Sequence, residues 1–271
     1  MLLVVLAAGL VAGPLSLPLE CYYRWIGLEK RIITTPTYSV SCFDSGESHL
    51  PVLVLVHGFM LSSGLNWCNV AQKLKGRYRL IIPDMLYANR KNVLQKGYAL
   101  QNDARLLEEL LEALAVDAPV IVLFSAGALL APHLDREKTL VIVSPPPVGE
   151  GFTRDVEALF ARDGKWFAES TFATAPLGFF LYAQYLFFAQ AEFLPRLKDV
   201  FLEQEQYWRE YVPPASVFFV VPDDDQYFPS AKNSLLHRVP AGQAFALPGA
   251  GHAATWDAAD GIISIMEHFT R

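Results

Sequence analysis

Four places in this chain carry side chains that together could run acyl transfer by a serine. That chemistry needs an exposed nucleophile, a neutral imidazole beside it, an acid orienting the ring, and donors for the developing oxyanion. Ser125 stands in Leu123-Phe124-Ser125-Ala126-Gly127-Ala128, between an apolar run and a helical stretch. A tight turn there would expose its hydroxyl, and the small residues after it would let the helix approach closely. Taken alone, the same serine also reads as an N-cap. His252 closes Pro248-Gly249-Ala250-Gly251-His252, where the glycines permit a sharp loop that holds a ring over a sheet edge. Its plainer alternative is a satisfied core or surface histidine. Asp225 ends Asp223-Asp224-Asp225, with Pro229 opening the next helix. It is the best candidate for the orienting acid; Asp223 and Asp224 stay open, and a solvated turn is the plainer reading. A cation site is poorly supported, because calcium takes about 6–8 oxygen ligands and no spaced ligand loop is present. In His57-Gly58-Phe59 the glycine frees the backbone, so the N–H groups of Phe59 and Ala126 could face an oxyanion, each worth ~3 kcal/mol of barrier. His57 itself reads as a structural residue of the turn.

The elements that must position these groups follow from the apolar pattern. Strands are expected at 32–36 and 38–43, and 52–57 (VLVLVH) is a near-continuous apolar run of the kind buried on both sheet faces. Further strands fall at 79–83, 120–124, 140–144, 217–221 and 244–247. Helices are expected at about 65–74, 106–114, 126–133, 230–237 and 255–269. This alternation predicts an α/β fold: a mostly parallel central sheet with helices on both faces. Each of the four candidate places lies at the carboxyl end of a strand, where open parallel sheets gather their sites. At Pro145-Pro146-Pro147 the alternation stops and resumes only at 217. The intervening 145–212 reads as a mostly helical insertion, dense in aromatics from Trp166 to Tyr211.

The chain has 271 residues, 52% of them hydrophobic and 18% charged, which excludes a disordered or fibrous protein. Its formal charge is −6 and no Lys/Arg-rich stripe exists, so nucleic acid is not an expected partner. Cys21, Cys42 and Cys68 are too few and scattered for a disulfide framework or a zinc site. No cofactor and no metal is expected. Residues 1–19 carry no charge, lack the basic start of a secretory signal, and are interrupted by Pro14 and Pro18. They are expected to form a hydrophobic anchor or interfacial segment ahead of a domain at 20–271. The basic flank at Arg24, Lys30 and Arg31 then places that domain on the cytosolic side of a membrane. A cleaved signal with secretion is the alternative, and a buried N-terminal element a third.

Taken together, VLVLVHGF (52–59), PD (83–84), LFSAG (123–127), LVIVSP (140–145), DDDQYFP (223–229) and GAGH (249–252) resemble the α/β-hydrolase superfamily from about residue 32 to the C-terminus. The resemblance implies Ser125 as nucleophile, Asp225 as acid and His252 as base, in the family's chain order, with Phe59 and Ala126 as oxyanion donors. It also implies that 145–212 is a helical cap, and the N-terminal segment before a capped core looks like the membrane-bound monoacylglycerol lipase type. Two features depart from the pattern. Leu123 replaces the first glycine of G-x-S-x-G and should crowd the turn, and residues 84–90 lack the usual glycines. The expected function is a serine hydrolase of carboxylic esters, with a small apolar, lipid-like ester as its partner. The alternative is a catalytically inactive module that binds an apolar ligand in the same pocket.

Overall fold

The structure, a computed structural model, describes residues 16–59, 63–149, 151–162, 166 and 192–269. Its centre is an eight-stranded sheet: β1 (Glu29–Thr34), β2 (Ser39–Asp44), β3 (Val52–Val56), β4 (Arg79–Pro83), β5 (Val120–Phe124), β6 (Thr139–Val143), β7 (Val217–Pro222) and β8 (Ala244–Leu247), in spatial order β1-β2-β4-β3-β5-β6-β7-β8. β1 and β2 pair antiparallel, β2 joins β4 antiparallel, and every other pairing is parallel. All of β4 and β5 is buried, as is β3 after its first residue, because helices cover both faces. The continuous Val, Ile and Leu runs are what such strands require. The junction of β2 with β4 is fixed by a buried ion pair, Arg79 Nε and Nη2 donating to the two Asp44 oxygens at 3.1 and 3.0 Å.

Several helices differ from the sequence expectation: the one expected at 106–114 begins at Gln101, and short helices at Leu86–Ala88 and Arg90–Val93 were not expected. The stretch at 126–133 is a 3₁₀ helix, Ser125–His133, with Pro132 inside it; proline has no N–H to give an α-helical bond. The last helix is two pieces, Ala254–Asp257 and Ala259–Phe269, interrupted at Ala258, whose φ/ψ of −134° and 34° leaves the helical region. Ser16–Trp25 is a helix that crosses the boundary expected at residue 19, and Leu19, Tyr22 and Tyr23 are buried in the core. Its anchor is specific: the Tyr23 hydroxyl donates to Gly64 O at 2.7 Å. Residues 1–15 lie outside the described residues. Among the described residues no helix is long and apolar enough to cross a membrane.

The insertion contributes helices Gly151–Phe160, Phe193–Leu202 and Glu205–Glu210. Its aromatics from Phe167 to Phe188 lie outside the described residues. Its two ends are bonded to each other, and both flanks are tied to the core. Trp208 Nε1 donates to Pro146 O and Pro147 O at 3.3 and 3.1 Å, Ser230 N donates to the buried Asp155 at 3.0 Å, and Arg196 Nη2 donates to Tyr98 O at 2.9 Å.

The β1–β2 hairpin is clamped onto the helix Gln101–Ala113 by one carboxylate. Glu109 accepts from the Thr35 and Thr37 hydroxyls, each at 2.7 Å, from Thr37 N at 3.0 Å and from Arg105 Nε at 2.8 Å. The Thr35 and Thr37 hydroxyls hold its pKa down to about 2. A depressed folded pKa means stability that is present above the ordinary carboxylate range and lost as pH falls toward 2. Glu109→Ala is therefore expected to melt below the parent at pH 7, with the gap narrowing as the pH falls from 5 to 3. Melting curves across that series check this, and a constant gap would contradict it.

Candidate active site

Ser125, Asp225 and His252 follow β5, β7 and β8, and the sheet brings the three together. The Ser125 hydroxyl lies 2.8 Å from His252 Nε2, and His252 Nδ1 lies 2.8 Å from Asp225 Oδ2. A carboxylate only accepts, so the ring proton sits on Nδ1 and Nε2 is left to accept from the serine. All three side chains are buried, at 6%, 8% and 4% exposure for Ser125, Asp225 and His252. Of the three neighbouring acids only Asp225 reaches the ring. Asp223 pairs with Lys232 Nζ at 2.8 Å, and Asp224 is exposed. Asp225 is held in turn by Tyr227 N and Phe228 N, which donate to its other oxygen at 2.8 and 3.0 Å. Among the described residues, no cluster of three or more His, Cys, Asp or Glu is placed to hold a metal ion.

Leu123 does not crowd the turn. It is fully buried within β5, in register with Val56 and Ile142, and the close approach is made by other residues. Ser125 itself has φ +52°, left-handed backbone that a side chain rarely adopts. That conformation turns the chain sharply from strand into helix. A Cβ on Gly58 would stand 2.9 Å from Ser125 Cβ and 2.8 Å from the Phe124 ring; one on Gly127 would stand 3.0 Å from His57 O. Glycine at 58 and 127, rather than at 123, makes the room. Ala126 is the second residue of the helix, where N–H groups have no intrahelical acceptor. Phe59 and Ala126 line the same pocket as Ser125 and His252.

Further residues, invisible as site residues in the sequence, complete the frame. His57 is fully buried and used at both nitrogens: Met85 N donates to Nε2 at 3.0 Å, and Nδ1 lies 2.7 Å from Gly58 O. Burial pushes its pKa down. This is the turn-packing role expected for it. The loop bearing Met85 is in turn held by Asp103, which accepts from Leu86 N, Tyr87 N and the Tyr98 hydroxyl; burial pushes its carboxyl up to about 7. The Tyr87 hydroxyl donates to His57 O. Ser144, at the end of β6 with φ +49°, donates its hydroxyl to His252 O at 3.0 Å. The His252 ring is stacked on Tyr227 at 4.2 Å between centroids, with Phe228 at 5.4 Å and Phe124 at 5.5 Å. No spacing in the sequence announces Ser144 or Tyr227, since both act through contacts between distant segments.

The pocket in front of Ser125 is mostly apolar. Phe124, Leu129, Phe228 and Trp256 come from the core, and Val156, Leu159 and Phe201 from the insertion. Phe59, Phe160 and Phe201 pack as a trio, with centroids 5.4 to 6.0 Å apart. The arrangement can deprotonate a serine as it attacks a carbonyl and can house an apolar chain beside it.

A family model described as the alpha/beta hydrolase family matches residues 53–265. No curated protein sequence matches the chain. Among solved structures, a candidate lipase from Acinetobacter baumannii AYE is 18% identical with a TM-score of 0.72, covering 94% of each chain. A membrane phospholipase A, a bacterial virulence factor, is 16% identical with a TM-score of 0.70, covering 99% of this chain and 96% of that one. The meta-cleavage product hydrolase of Pseudomonas fluorescens IP01 is 19% identical with a TM-score of 0.68, covering 88% and 96%. At such identities the likeness establishes the fold.

Gly58→Ala tests how tightly the turn is built. The added methyl cannot fit without moving Phe124 or Ser125, so a loss of about 1–3 kcal/mol is expected. A fluorophosphonate probe should then phosphonylate Ser125, with loss of fluoride, about a hundredfold more slowly. Calorimetry and a labelling time course measure both, and unchanged labelling would refute the close fit.

Proposed function

This chain belongs to the alpha/beta hydrolase family, and from that premise we propose that it is a serine hydrolase that cleaves carboxylic esters with apolar acyl chains. The single observation that carries the reading is the unbroken run of hydrogen bonds from Ser125 through His252 to Asp225, both at 2.8 Å. As the Ser125 hydroxyl attacks the ester carbonyl, His252 Nε2 takes its proton, and Asp225 steadies the imidazolium that forms. The backbone N–H groups of Phe59 and Ala126 receive the oxyanion. The tetrahedral adduct collapses when His252 returns the proton to the departing alkoxide, leaving an acyl-serine. Water, deprotonated by the same ring, then releases the acid. The aromatic and aliphatic walls of the pocket favour an apolar acyl group. The stack of Tyr227 on His252 supports the reading further, since it fixes the plane of a ring that must serve two oxygens in succession.

Ser125→Ala is expected to abolish turnover of short and long p-nitrophenyl esters and to lose fluorophosphonate labelling. Retained turnover would overturn the proposal. An unlabelled parent that still binds apolar ligands would favour the inactive binding module instead. Asp225→Asn keeps the shape but lets the ring take the wrong tautomer, and kcat should fall about 10⁴-fold.

Membrane association through the N-terminal residues ahead of the helix Ser16–Trp25 belongs to the same proposal. It is supported by the absence of charge before Glu20 and by the apolar, lipid-like substrate expected of the pocket. The full chain should sediment with membranes and a chain lacking residues 1–14 should not; equal partitioning of the two would contradict it.

A further inference from the structure

Two polar side chains on the wall of this pocket have no use in the steps above. Asn66, on the helix Ser63–Leu74, and Thr255, on Ala254–Asp257, are both 0% exposed, and both line the pocket with Ser125 and His252. Their helices are bonded side by side: Trp256 Nε1 donates to Leu65 O at 3.1 Å, and Asn69 Nδ2 donates to Trp256 O at 3.2 Å. Residues 66 and 255 therefore contribute to one stretch of wall.

The Asn66 amide is fixed in direction. Gly58 N donates to Oδ1 at 2.7 Å, a bond only the oxygen can accept, so Nδ2 is turned away from the Gly58 backbone. Neither Asn66 Nδ2 nor Thr255 Oγ1 has a hydrogen-bond partner among the described residues. Buried polar atoms without partners are rare because each forfeits its solvation, and two of them on one apolar pocket wall call for an explanation. An amide N–H₂ and a hydroxyl in the lining of one pocket complement an oxygen-bearing group. The position of that oxygen follows from the neighbours. A Cβ on Gly58 would reach within 2.9 Å of Ser125 Cβ, so the amide stands close to the reacting centre. Thr255 follows His252 by three residues and lines the pocket with that ring, the group that returns the proton to the departing alcohol in the proposed reaction.

We infer that Asn66 and Thr255 form a polar subsite that hydrogen-bonds a second oxygen on the alcohol part of the substrate, which makes hydroxyalkyl esters the preferred class over plain alkyl esters. The inference rests on the serine-esterase reading and deepens it. A site with buried polar groups discriminates strongly against an analogue that leaves them unpaired.

The test compares kcat/KM for 2-hydroxyethyl butanoate and propyl butanoate, which match in size, using the full chain. The parent is expected to prefer the hydroxy ester by about tenfold or more. Thr255→Val, which keeps the shape and loses the hydroxyl, should bring the ratio toward one, and Thr255→Ser should restore most of it. Equal values in the parent would overturn the inference, as would a ratio unchanged in Thr255→Val. The parent's own ratio decides the matter if that variant fails to fold. Ser125→Ala separates the two levels: surviving turnover there, or turnover of neither ester by the parent, overturns the esterase reading itself. An inactive Ser125→Ala with an indifferent parent overturns the subsite alone.

Discussion

The site is possible only because the chain enters left-handed backbone at Ser125, the first residue after β5. For a residue with a side chain this costs about 1–2 kcal/mol, and such a conformation persists only where its surroundings over-determine it. Here they do. β5 is held on both edges, by β3 and by β6. Gly127 presses the following helix against the His57 carbonyl, and Gly58 lies against Ser125 itself. Without that turn the strand would continue in its own direction, and the hydroxyl could not point along the sheet edge toward His252.

Behind the turn the structure is unusually polar for a buried region. His57, Tyr87, Asp103 and Tyr98 form a connected set whose members bond mainly to backbone of the 57–58 and 85–87 loops. Their effect is to fix loops, and His57 has no free nitrogen for proton transfer. In front of the turn the lining is mostly hydrocarbon and aromatic, apart from Asn66 and Thr255. Ser125 and His252 sit on the boundary between the two. This division separates a framework that must not move from a chamber that can take an apolar guest, and it keeps the ring–carboxylate pair away from water that would weaken it.

How much of this was legible in the sequence depended on what signal each part left. Strands β3, β4 and β5 were placed to within a residue, because burial on both faces demands continuous apolar runs of defined length. Asp225 could be preferred to Asp223 and Asp224 from its distance to Pro229, and in space it is the one of the three that reaches the ring of His252. The helix Ser16–Trp25 was not legible, since absence of charge dominates that region while Tyr22 and Tyr23 are buried by partners 40 and more residues away. Leu123 looked obstructive because local spacing suggested that the glycine must precede the serine; the space instead comes from Gly58, on a different strand's loop. Asn66 was overlooked altogether, because an asparagine within an amphipathic helix leaves no mark of the cavity it faces.

The insertion is stapled to the core by Asp155 and Arg196 and end to end by Trp208, and its helices Gly151–Phe160 and Phe193–Leu202 supply part of the chamber wall. The described helices of the insertion and the sheet are thus packed as one body. A guest seated against Phe201 on one side and Trp256 on the other would act as mortar between them, raising the melting point of the whole molecule rather than tightening a detachable flap.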